Sequence, residues 1–266
     1  MCEEDPFGPG GSIDGYVRIG EKKKSEKGSL YPAKLDYFIA TYPFKKASDE
    51  ATARKHTEMN RVLAQLHGEK PQKITIILGN HKPDEVLHAG YAYWPGQNCM
   101  CRCTDFKTAT RIVDGKPVQV ECDRDLCPYA AATAKPKCNP YAILKFRFEH
   151  APVSGGHWRF VTHSWNSIRK LRDNLKNLYD YTQDLNGLEV DLELEFESAI
   201  VKDKQTRIPT VRLSSKHSPS QLEAGMGRKF TQPQKVKVTV PVIPTEAPKE
   251  ADSSSTEEKD LFPDFA

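Results

Sequence analysis

"CMCRCTDFKTATRIVDGKPVQVECDRDLCPYAAATAKPKC", residues 99–138, carries six of the seven cysteines of the 266-residue chain. Its centre, "RIVDGKPV", alternates apolar residues around Asp114-Gly115, a strong signal for a two-residue hairpin turn. Pairing Val113 with Lys116 across that turn brings Cys103 close to Cys127 in the extended ladder, with Cys122 on the same arm. Pro128 and "KPKCNP" then bend the chain and can return Cys138 to the same point. Four thiolates from a hairpin and a returning loop make a closed, tetrahedral, structural zinc site. Cys103, Cys122, Cys127 and Cys138 are the expected ligands; Cys99 and Cys101 are spare candidates, because alternate strand residues share a face. The spacing is irregular, with four residues between Cys122 and Cys127. Reduced, buried cysteines filling a small core are the other reading of the same residues.

Compartment bears on that choice. "MCEEDPFGPGGS" lacks the basic and apolar regions of a signal peptide, and no run of 18 apolar residues is present. A cytoplasm is therefore expected, where disulfides are rare and clustered thiols are more often metal ligands. No C-x-x-C redox motif occurs in a βαβ setting. An apolar fraction of 38%, 19 prolines and a mean hydropathy of −0.64 suit a compact domain with polar extensions. A net charge of +3 is too slight to diagnose a nucleic-acid partner.

Around the cysteines the pattern predicts an α+β fold, mainly antiparallel strands with two helices. Strands are expected at 35–42, 73–78, 86–94, 142–150 and 157–164, with a hairpin from "LEVDLELEFESAI" and "TRIPTVRLSS". Helices are expected at about 49–67, capped by Ser48, and over "NSIRKLRDNLKNLYDYT", capped by Ser164 or Asn166. The order also suits a small barrel of the oligonucleotide-binding type. Residues 1–34 read as a polar, partly flexible segment, 35–214 as one domain with the zinc module at 99–140, and 215–266 as a disordered Pro/Ser-rich acidic tail. Leu261, Phe262 and Phe265 at the tail's end suggest a docking peptide for a partner.

Catalytic motifs are absent: no phosphate-cradling loop, H-E-x-x-H, G-x-S-x-G or EF-hand sequence occurs. His163 and Ser164 are neighbours on a strand and would point to opposite faces. His150, His157 and His163 are potential metal ligands, though core or surface roles are commoner, and Trp94, Trp158 and Trp165 are expected to be core anchors. Arg169, Lys170, Arg172 and Lys176 share one face of the second helix and could meet a protein partner or DNA phosphate.

"YVRIG…AKLDYFIAT", "CRCTD", "ECDRDLCPYA…KPKCNPYAILKF", "HWRFVTHSWNSI" and "RIPTVRL" together resemble the recombination directionality factor-like proteins of bacteriophages and integrated elements, over roughly residues 16–214. Cys103, Cys122, Cys127 and Cys138 match the family's cysteine positions that suggest metal binding, although spacing after Cys122 varies among such proteins. The resemblance implies a non-catalytic protein that binds a large serine integrase on DNA and biases it toward excision of the prophage. The rival expectation is a single-stranded-DNA-binding phage replication protein, suggested by the small barrel, the aromatic strands and the acidic tail. Neither reading calls for a membrane or a small-molecule substrate.

Overall fold

Period-two alternation in the strands resolves into two open sheets. The computed structural model describes residues 13–24, 30–41, 50–95, 99–131, 137–149, 157–201 and 204–229, all within one compact unit. β1 (Ile13–Lys24) and β2 (Leu30–Thr41) precede α1 (Glu50–His67), β3 (Lys73–Ile77), α2 (Pro83–Val86) and β4 (Leu87–Tyr93). The cysteine-bearing limb holds β5 (Cys101–Cys103), β6 (Thr108–Val113) and β7 (Lys116–Glu121). β8 (Asn139–Phe146), β9 (His157–Thr162), α3 (Trp165–Thr182), β10 (Glu189–Val201), β11 (Lys204–Ser214) and α4 (Pro219–Glu223) complete the order.

Eight strands run β2-β1-β9-β8-β4-β5-β6-β7, and three run β11-β10-β3. Pairing is antiparallel except between β1 and β9, which run parallel from Ile13↔His157 to Val17↔Phe160. The sheets meet where Ile77 and Arg147 exchange two backbone hydrogen bonds of 2.8 Å. The α+β, mainly antiparallel expectation therefore holds, with four helices among the described residues in place of two. The small barrel does not form. Its closure would need the outer strands β2 and β7 to pair, and they lie at opposite ends of an open sheet.

Both domain boundaries move outward. β1 occupies much of the segment read as flexible; its Val17 is fully buried, and β1 zips onto β2 as far as Lys24↔Leu30. The strand expected first, at 35–42, is thus the second. At the other end, residues 215–229 belong to the folded unit and not to a tail. Ser218 caps α4 with a capping box, Leu222 is buried, and Arg228 bonds Asp184 and the Thr182 carbonyl. Ser48, His150 and the apolar tip Leu261, Phe262 and Phe265 lie outside the described residues.

α3 follows its sequence closely. The Ser164 hydroxyl accepts from Ser167 N–H, satisfying an orphan donor of the first turn. Ile168, Leu171, Leu175 and Leu178 recur at helical spacing and are buried, each contributing roughly 1.5–3 kcal/mol by leaving water. They join Leu144, Phe146, Phe160, Leu192 and Leu213 in a single core spanning both sheets.

The acidic alternation of β10 finds its partners across the fold. Lys73 lies 2.7 Å from Asp191 and 3.1 Å from Glu193. Arg212 bridges Glu193 and Glu195, and Lys170 reaches Glu195 at 2.9 Å and Glu197 at 2.6 Å. At the far end of the large sheet, β7 is an outer strand whose residues are almost all exposed. It carries Pro117 opposite Ile112.

On the sheet face away from the core, His88 Nε2 sits 3.2 Å from Lys145 Nζ. Burial first, then the charges of Lys145, Arg102 and Arg159, pushes the His88 pKa down from 6.5 to about 4. The folded state therefore keeps His88 neutral where the unfolded chain binds a proton. Its contribution to stability is complete above pH 6.5 and is lost as pH falls toward 4. Urea unfolding of His88→Gln at pH 7, 5.5 and 4.5 should show a shallower loss of stability on the acid side than the wild type. An unchanged slope would remove His88 from the account.

Candidate metal centre and adjoining aromatic groove

The limb brings the thiols together, by a different route from the one the hairpin register implies. Val113 does pair with Lys116 across Asp114-Gly115. The chain turns again at 104–107, however, so Cys103 sits on a separate strand, β5, opposite Ala109 and not opposite Cys127. Asp105 makes that turn: its Oδ1 accepts from the Lys107 and Thr108 N–H groups at 2.8 Å each. These bonds hold the Asp105 carboxyl below the usual range. Cys101 and Cys103 then face the same side of β5. The Cys122 N–H donates to the Lys107 carbonyl at 2.7 Å, which places Cys122 beside the turn. The Cys138 N–H donates to the Tyr129 carbonyl at 2.7 Å, and Cys138 is buried. Tyr129 itself stacks on Tyr93, centroids 4.1 Å apart, and Arg111 lies over its ring.

The thiols influence one another's ionisation. Burial, then the hydrogen bond to Cys103 and the proximity of Cys138 and Cys101, pushes Cys122 up to about 12. Burial and the neighbouring Cys127 and Cys101 push Cys138 up to about 11. Burial raises Cys101 as well, opposed by Arg111. Arg111 Nη2 also lies 3.6 Å from Cys127 Sγ. All four proposed ligands and Cys101 thus share one neighbourhood, whereas Cys99 donates to the Cys101 carbonyl. Among the described residues, no three His, Cys, Asp or Glu side chains already converge as a metal-holding group. Thiol sulfurs are the donor type that a soft divalent ion takes.

Against this cluster lies an open groove of about 680 Å³, lined by Tyr91, Phe106, Lys107, Glu121, Cys122, Asp123, Arg124 and Trp165. Tyr91 and Trp165 stack with centroids 6.1 Å apart, and Phe106 meets each of them edge-on. Arg124 covers the Tyr91 ring at 4.7 Å, and Arg172 covers Phe106 at 5.2 Å.

The chain matches the Gp3-like, recombination directionality factor-like family over residues 14–216. It belongs to that family. The match runs from β1 through β11, so the family region includes both sheets, the thiol cluster and the groove. No curated protein matches the chain, and no solved structure does.

Within this family fold, the cationic helix face is largely engaged. Lys170 pairs with Glu195 and Glu197, Lys176 with Asp180 at 2.7 Å, Arg169 donates to Asn166, and Arg172 covers Phe106. Of the tryptophans, Trp158 is a core anchor and Trp94 packs with Tyr141 on the outer face. Trp165 departs from its expected core role: it is 39% exposed at the start of α3. His163 is exposed, with Nδ1 3.1 Å from the Pro140 carbonyl, while Ser164 serves as the cap and His157 is half-buried. The sequence reading missed Tyr91, Phe106 and Arg124. The Asp105-x-Lys107-Thr108 turn signature was the available signal for the first bend that assembles them. No helix among the described residues is long and apolar enough to cross a membrane.

Proposed function

We propose that the chain is a recombination directionality factor that binds a serine integrase already seated on DNA and biases it toward excision. The observation that carries this reading is the family match, which takes in nearly the whole folded unit. Such a factor works by binding one arrangement of the integrase more tightly than another, and it needs no chemistry of its own. A shift from 1:99 to 99:1 requires a preference of about 10⁴-fold between the two arrangements. In this reading the protein acts in the cytoplasm of a bacterial host. Cys103, Cys122, Cys127 and Cys138 hold one structural zinc ion there, with Cys101 next to the set, and the ion fixes the limb without taking part in a reaction.

A recombination assay with a large serine integrase from the same genetic element tests the proposal. Adding the protein should permit recombination between the prophage end sites and suppress the integrative reaction, with a stable complex visible by mobility shift. A protein that neither binds the integrase nor changes its site choice is not a directionality factor. The rival reading, a single-stranded-DNA-binding replication protein, loses the support of a closed barrel, since the sheets are open.

A further inference from the structure

We infer that the groove between α3 and the cysteine limb is a site for unpaired nucleic acid, in which a base lies against the exposed ring of Trp165. This goes beyond integrase binding and does not depend on it. Tyr91 on β4, Phe106 in the 104–107 turn and Trp165 at the head of α3 come from three distant segments, yet they form one mutually contacting set of rings. A large aromatic left 39% exposed in such a set offers a flat face to a flat partner.

The backbone points the same way. Phe106 adopts φ +65°, in the left-handed region that a bulky side chain rarely enters. The Asp105 turn holds it there, and the result is a phenylalanine ring at the wall of an open groove. The charged rim disfavours a purely apolar ligand, and the flat rings favour a base over a peptide side chain. Lys107, Arg124 and Arg172 edge the rings and suit phosphate, and the first turn of α3 contains no acidic residue. Glu121 and Asp123 also line the wall. Carboxylates there would repel phosphate but accept hydrogen bonds from exocyclic base amines, giving the strand a sided path with its backbone at the arginines. A volume of about 680 Å³ suits such an occupant.

Fluorescence anisotropy of a labelled oligothymidylate of about 15 nucleotides, titrated with the full chain, tests the site. Binding should weaken steeply with salt and be nearly the same for a mixed-sequence strand. Trp165→Ala should reduce affinity by about tenfold to a hundredfold, Arg124→Gln should also weaken it, and Trp165→Phe should restore much of the loss. Lys229→Gln, outside the groove and paired with Glu149, should bind as the wild type does. Thermal melting of each variant checks that it is folded. No anisotropy change at low salt overturns the proposal, as does wild-type affinity in folded Trp165→Ala and Arg124→Gln. If these variants lose integrase binding while the wild type takes up no oligonucleotide, the groove is a protein-docking surface. The base-binding site then falls and the directionality reading stands.

Discussion

If the proposed zinc site exists, replacing Cys122 by Ser should abolish metal binding and unravel β5–β7 while the main core survives. The wild type should carry one zinc ion per chain, exchangeable for cobalt with a sulfur-to-metal charge-transfer band. Little else holds the limb. β7 is exposed along nearly its whole length, and the limb's own buried cluster amounts to Cys101, Cys103 and Ala109 with partly buried neighbours. Val113 and Val118 face water at 43% exposure each. A three-stranded extension with so little apolar burial needs a staple. A structural zinc supplies about 10–16 kcal/mol of apparent binding energy in small domains, far more than the limb's packing can offer. Cys122 is the most informative ligand to remove, because it adjoins Cys103 and senses both Cys138 and Cys101. Amide exchange should show protection lost across β5–β7 and retained in α3, since local elements open independently of the core. Cys127→Ser should behave alike. If the wild type contains no metal and both variants keep normal protection, the cysteines are packing residues and the metal proposal ends there.

Gly90→Ala should be the most damaging single methyl group that can be added to β4. A Cβ at Gly90 would stand 2.0 Å from the Cys103 carbonyl oxygen and 2.5 Å from its carbon. The obstruction is backbone, so no side chain can swing aside to relieve it. Strand β5 must lift away, taking Cys103 and the turn that carries Phe106 with it. Overpacking of this kind costs about 1–3 kcal/mol where side chains can yield, and the backbone clash places the loss at or beyond the upper end. The expected result is a melting temperature lower by roughly 6–12 °C, at about 2–4 °C per kcal/mol for a chain of this size, with weakened metal retention. Gly115→Ala is the control. Its site at φ +77° has nothing within 4 Å, so it bears backbone strain of about 1–2 kcal/mol without a collision. Comparable melting of the two variants would show that β4 and β5 are not in the close register described.

Local signals proved legible where one segment decides the outcome. Asp114-Gly115 set the β6–β7 register, and the leucine stripe with Ser164 set α3. The alternation of β10 and β11 likewise declared their hairpin. What stayed hidden was decided between segments. β1 looks too charged for an interior strand, yet it lies between β2 and β9; its Val17 enters the core while Arg18 remains exposed. Its parallel pairing with β9 spans more than a hundred residues of sequence, which no periodicity encodes. α2 and α4 are too short for a recognisable stripe and announce themselves mainly by proline near their starts. The path of the cysteine limb was not foreseen, because the extra turn at 104–107 makes three strands from an apparent two. The groove was invisible, since its three rings are neighbours in space alone.

The outer margin of β7 has a consequence for how the protein behaves in a crowded cell. A bare strand invites other chains to stack against it, the first step toward fibres. Pro117 has no N–H to offer a newcomer, and Lys116 and Glu121 bracket the strand with charge. This margin is thereby blunted against polymerisation through β7.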